Sequence, residues 1–335
     1  MTQTAVVTDF TVGDMWEQLP EYTKRANELG VTTNDVYAAA TLYYQQGLKT
    51  NEVIAVSNET LKMARIAGIE AAEATDYMTA ALRGFNMEIN ETSAKRVNDV
   101  YSELAAITAS DTQEISVAMT KVASLAHNAN MEFETTAAFL SQIIETTRES
   151  AETAGTALKT VIARFSEVKE LYSEGELLGT DEEGLEIDVN KISTALRTAG
   201  INLNEYLTGV KGLDEIFLEL AKKWDSLSTV QQRYIATQAA GSRQQSRFIA
   251  MMSNYDRTIE LVGAANNSAG ASQEQFNKTL DSLETKLAKL KDAWDEFTMG
   301  LANNEVIKGA VDLLTLLLNT INKMTGVLPG CTSSL

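Results

Sequence analysis

Apolar positions recur along this chain at helical spacing, and the pattern is broken at intervals by short polar joints of one recurring design. Gly30-Val31-Thr32-Thr33-Asn34-Asp35, Gly47-Leu48-Lys49-Thr50-Asn51-Glu52 and Gly68-Ile69-Glu70-Ala71-Ala72-Glu73 share one order, and looser copies begin at Asn86, Ala109, Asn130 and Gly200. Gly or Asn supplies the left-handed residue that ends a helix. The apolar residue after it staples the entry to the next helix. Thr32, Asp111 and Asn202 are residues that cap a helix N-terminus, and an acid three positions on completes a capping box. Successive caps at 32, 49, 70, 88, 111 and 132 lie 17 to 23 residues apart, which predicts helices of roughly 14–20 residues. Such spacing fits an array of antiparallel helices, and equally one long helix broken at glycines.

Ala151 to Glu170 continues the pattern, with Ala157, Val161, Ile162, Phe165 and Val168 on one face. Residues 173–190, SEGELLGTDEEGLEIDVN, change it: breakers and acids crowd together without the fixed order of a calcium loop. A solvated linker or short hairpin is expected there. Helical spacing resumes with Ile216, Phe217, Leu220 and Trp224. The strongest periodicity comes last: Phe276, Leu280, Leu283, Leu287, Leu290, Trp294, Phe297 and Leu301 alternate spacings of 4 and 3. This is a coiled-coil-like seam that needs a partner helix, in this chain or in a second copy. Ser272 and Gln275 are spaced as a capping box at its start. Val306 to Leu318 is the most apolar stretch, but it holds Lys308 and Asp312 and is shorter than the ~20 residues of a membrane span.

The expected fold is therefore all-α: long helices and antiparallel helical hairpins with a C-terminal coiled-coil-like helix. The expected organisation is an N-terminal segment (1–30), a helical array (31–172), the acidic loop (173–190), a second helical half (191–270), the seam with its amphipathic apolar helix (271–325) and a tail (326–335).

Composition narrows the function. The 335 residues carry a net charge of −18, one His, one Cys and two Pro. The charge opposes nucleic-acid binding through the phosphate backbone. One Cys cannot form an internal disulfide, and one His excludes multi-His metal sites. Residues 1–13 lack the basic and apolar regions of a secretory signal. His127, the single imidazole, sits at a predicted helix end where it can satisfy terminal carbonyls. No GxSxG, Walker, CxxC or HExxH pattern occurs. No catalytic residue, cofactor or metal site is expected, and the chain reads as a non-enzyme.

Several motifs, taken in order, resemble one family. Gly155-Thr156-Ala157-Leu158-Lys159 precedes Ala163-Arg164-Phe165, then Asp188-Val189-Asn190-Lys191 and Ala195-Leu196-Arg197. Leu213-Asp214-Glu215-Ile216, Trp224-Asp225-Ser226-Leu227 and Gly241-Ser242-Arg243-Gln244-Gln245 with Phe248 follow. Together they resemble the core of phage tail tape measure proteins, from long-tailed phages and prophages of Gram-positive hosts, over roughly residues 20–325. The resemblance implies a helical scaffold and ruler inside the growing tail, located in the virion tail lumen and, during assembly, in the host cytoplasm. Its implied partners are the tail tube protein, tail assembly chaperones and distal tail or baseplate proteins. Self-association through the C-terminal helix and host-membrane contact on ejection with the DNA also belong to that picture. If helices lie end to end, 335 residues reach at most about 500 Å, and an in-frame deletion from Gly47 to Gly68 should shorten the tail in proportion. The competing class is a self-standing α-helical interaction or pore-forming protein.

Overall fold

The computed structural model describes residues 12–176, 178–180, 186–281, 290 and 293–294. Eight helices come first: α1 (Val12–Leu29), α2 (Thr33–Gln45), α3 (Thr50–Ala67), α4 (Ala71–Gly84), α5 (Glu91–Ile107), α6 (Thr112–Asn128), α7 (Phe133–Thr147) and α8 (Ala151–Glu174). A hairpin of β1 (Leu178–Thr180) and β2 (Glu186–Asp188) follows, antiparallel, with Gly179 opposite Ile187. Then come α9 (Val189–Thr198), the single turn α10 (Asn204–Leu207), α11 (Leu213–Trp224), α12 (Thr229–Met252), α13 (Tyr255–Asn266) and α14 (Ala271–Leu280). Apart from that hairpin the described residues hold no other strand, and the fold is all-α.

The joints follow the anticipated chemistry at several points. Thr32 accepts from the Asp35 amide while Asp35 accepts from the Thr32 amide at 2.9 Å, a complete capping box. Asp111 and Glu114 form another. The reading is corrected elsewhere. The cap expected at 88 lies at Asn90, whose side chain accepts from Ser93. Lys49 gives only half a box, its amide bonding Glu52 at 2.8 Å. Asn202 holds the amide of Asn204 ahead of α10. Ser272 lies inside the first turn of α14, and its hydroxyl and amide go to Asp99 of α5, so it forms no box with Gln275.

These joints fold the helices back on one another, so the broken-rod alternative gives way to a packed array. α2, α3 and α4 pack mutually, α6 lies between α4 and α8, and α14 rests on α3 and α5. At the middle sits α7, touched by α5, α6, α8, α12 and α13. Twelve consecutive residues of α7, from Phe133 to Ile144, are buried. Several of its polar groups are satisfied internally or by neighbours: Thr136 donates to the Glu132 carbonyl, and the Gln142 side-chain amide donates to the Ser253 carbonyl at 3.2 Å. Burying each Phe, Leu or Ile here is worth about 1.5–3 kcal/mol against leaving it in water. One apolar cluster runs continuously through residues on both sides of 173–190.

Candidate functional site

Among the described residues no group of three or more His, Cys, Asp and Glu could hold a metal ion. A cleft of about 410 Å³ lies beside the α6–α7 joint and is lined by Phe85, Arg96, His127, Met131, Glu132 and Glu215 among others. His127 meets the Phe85 ring edge-to-face, 6.3 Å between centroids. Its expected capping role falls to the backbone: the amides of Ala129, Asn130 and Met131 meet the last carbonyls of α6, with Met131 N to Ala126 O at 2.9 Å. A helix end closed this way needs no imidazole.

The ordered motifs show a different kind of site. Gly212 comes so near the α6–α7 joint that a Cβ there would stand 2.1 Å from the Asn130 carbonyl oxygen. The Leu213 amide then donates to the Ala129 carbonyl at 3.1 Å. Asp214, only 3% exposed, accepts from the Glu132 amide at 3.0 Å and from the Glu215 amide at 3.0 Å. It thereby caps α7, whose own N-cap residue Glu132 makes no side-chain cap. Burial pushes the Asp214 carboxyl above its ordinary range, and the amide donors pull against that shift. A segment 82 residues away thus fixes the start of the buried helix.

Gly155 acts by absence in the same way: a Cβ would meet the Ala118 carbonyl oxygen at 2.5 Å, so α8 lies directly on the backbone of α6. Arg164, 3% exposed on α8, donates to the Gln238 carbonyl of α12 at 3.2 Å. That carbonyl is near a break, because Gly241 adopts φ 70° and ψ 168° within α12. This is a region open in practice to glycine alone. The chain folds back there far enough for the Gln245 side-chain amide to reach the Arg233 carbonyl, twelve residues earlier, at 3.5 Å. In a straight helix those positions would lie ~18 Å apart.

The aromatic members of the motifs converge. Phe165 meets Phe217 edge-on at 5.3 Å, and Phe217 in turn meets Phe139 of α7 and Phe248 of α12 at 6.1 and 6.0 Å. Trp224 closes the group against Phe248 at 6.0 Å. Edge-to-face pairs add about 0.5–1.5 kcal/mol each beyond area burial. The residues that carried the resemblance therefore hold α7, α8, α11 and α12 around one centre. Their assembly needs no substrate to explain it.

Ion pairs clasp the same elements from outside. Arg96 of α5 forks onto Glu134 of α7 at 2.5 and 2.7 Å. Arg257 of α13 pairs with Glu145 at 3.2 Å and also reaches the last carbonyls of α5 through Ile107. Arg247 of α12 pairs with Glu149.

The seam enters this structure at its beginning. Phe276 is buried in the core and Leu280 packs against it. Leu290 is 47% exposed and Trp294 half-buried. Leu283, Leu287, Phe297 and Leu301, with the apolar stretch 306–318, lie outside the described residues. No described helix is long and apolar enough to cross a membrane.

Comparison with known proteins agrees with the motifs. The family model of phage-related minor tail proteins matches residues 21–241. A tape measure protein of Pneumococcus phage Dp-1 is 24% identical over 254 residues, which is 74% of this chain and 20% of that relative. The chain thus spans about a fifth of the length of the curated relative it matches. No solved structure matches. With most of the packed array inside the family match, the chain belongs to the phage-related minor tail protein family, whose members are structural proteins of the phage tail.

Proposed function

We propose that this chain is a segment of a tape measure protein: scaffold and ruler for tail tube assembly, ejected with the genome on infection. The observation that carries this reading is the family match over residues 21–241, supported by a relative named as a tape measure protein. The partners proposed with it are the tail tube protein, assembly chaperones and distal tail or baseplate proteins, and the location is the tail lumen. A role by shape rather than by chemistry accords with a centre built of aromatic packing and helix caps.

The packed array changes how such a segment measures. About 270 residues laid end to end as helix would reach roughly 400 Å. Packed as a domain they have a diameter of about 50 Å. We propose that residues 12–281 stay folded as a compact station on the tape and add only their own diameter to the tail. The deletion between Gly47 and Gly68 is then a poor test, because it removes α3, whose Val53, Val56, Leu61 and Met63 are buried. The role itself is tested by a nonsense mutation in the phage gene that encodes this chain. Electron micrographs should show tailless heads or tubes of unregulated length. Virions with normal tails would sink the reading.

A further inference from the structure

The chain's negative charge is unevenly placed. Before position 191 there are 31 acidic and 13 basic residues, while from 191 onward there are 15 of each. Charge asymmetry between halves points to an interaction. Two exposed places concentrate the contrast.

The first is the elbow where α11 passes into α12, braced by Gln232 donating to the Trp224 carbonyl at 2.8 Å. Lys222 and Arg233 are exposed there, and neither has an ion pair among the described residues. Among the described residues exposed Lys223 bonds only the Gly200 carbonyl, at 2.8 Å, and Asp225 is the one acid within residues 222–234. Val230 is 77% exposed and Tyr234 38%, one turn apart on the same face as Arg233. Large apolar side chains set among unpaired cations mark a contact surface.

The second is the tip of α8. Glu170, Glu174 and Glu176 are exposed without ion pairs among the described residues, and Tyr172 between them is 46% exposed. These carboxylates crowd the negative end of a helix dipole, where an acid is unfavourable. Burial, and then the charges of Glu170 and Glu174, hold the neighbouring Glu167 carboxyl above its usual range. A cationic partner would relieve this field.

We propose that the elbow of one copy docks on the α8 tip of a second copy of this chain, cation to carboxylate, with Val230 and Tyr234 against Tyr172. The occupant is assigned by complementarity: each patch carries the charge that the other lacks, and both bear exposed apolar side chains. Because the patches differ, the contact is heterologous, and copies add head to tail into a ring or open string. The inference concerns association between copies and does not require the tape measure role.

The test is sedimentation of the whole 335-residue chain. At ~0.02 M salt the mean mass should rise with concentration and fall back to monomer at ~0.5 M, as screening predicts. The elbow variant Lys222→Glu/Arg233→Glu should associate about tenfold more weakly or worse, and so should the tip variant Glu170→Lys/Glu174→Lys. Mixing the two variants should restore association, since each then meets an opposite charge. All four positions are exposed, so both variants should melt like the parent. Val230→Ser, which leaves charge alone, should also weaken association. The proposal is overturned if the parent stays monomeric at low salt. It is equally overturned if the charge-reversed variants associate as the parent does, which would place the contact on the apolar seam. Parent protein that remains monomeric yet binds anionic vesicles or duplex DNA would reassign the elbow to that partner.

Discussion

Gly241 turns α12 back on itself with a backbone conformation that a Cβ forbids. Gly241→Ala should therefore cost about 1–3 kcal/mol, read as a lower midpoint in denaturant unfolding. An unchanged midpoint would mean that the break is not held by this residue. Burial gives a second residue-scale prediction. The Tyr206 phenol is raised from 10.0 to about 12 by burial. Tyr77 is raised likewise, by burial and then by its hydrogen bond to the Glu73 carboxylate. Fully buried Tyr101 moves in the same direction. Folded phenols that titrate above unfolded ones contribute stability that is present below pH ~10 and lost as pH rises toward 12. Ionisation of the buried phenols Tyr101 and Tyr206 should coincide with alkaline unfolding, whereas their ionisation near pH ~10 in the folded protein would contradict the packing. Capping pairs such as Thr32–Asp35 and Asp111–Glu114 were legible in the sequence, because both partners sit three residues apart. Asp214 and Arg164 were legible only as motif letters, since their partners lie 82 and 74 positions away.

Among the elements, α14 is held by a carboxylate that is not its own. Asp99 of α5 accepts from the Gly270 and Ser272 amides, each at 3.0 Å, and from the Ser272 hydroxyl. Lys62 of α3 adds a bond to Gln273 at 3.1 Å and lies over the Phe276 ring. Asp99→Ala strips the buried cap from these donors, a cost of about 1–3 kcal/mol. Hydrogen exchange should then quicken through residues 271–280 while the amides of α7 keep their protection. Equal acceleration in both helices would show that Asp99 supports the whole array and not this latch. The seam was visible as a period of 3 and 4, but that period does not reveal that its first two apolar positions, Phe276 and Leu280, are already covered within the chain. α7 was the opposite case. In FETTAAFLSQII, Glu134, Thr135, Ser141 and Gln142 share one side and read as a solvent-facing polar face, so the pattern does not reveal that this side is buried as well. The Thr136 hydroxyl bonds back to the carbonyl one turn earlier, and the Glu134 carboxylate and Gln142 amide find partners on other elements.

For the molecule as a whole, helix content and joint positions followed from local chemistry, and the packed form depended on contacts between distant segments. An all-α chain with capped joints can be drawn as a rod or as an array. What favours the array is the central helix buried over twelve consecutive residues and the aromatic centre fed by α7, α8, α11 and α12. A rod would expose all of it to water. The most direct measurement is tail length after duplication of residues 12–281 in tandem within the phage gene, which leaves one intact copy to serve assembly. A compact station predicts tails longer by no more than about 50 Å. An increase near 400 Å, the length of the same residues as continuous helix, would contradict it.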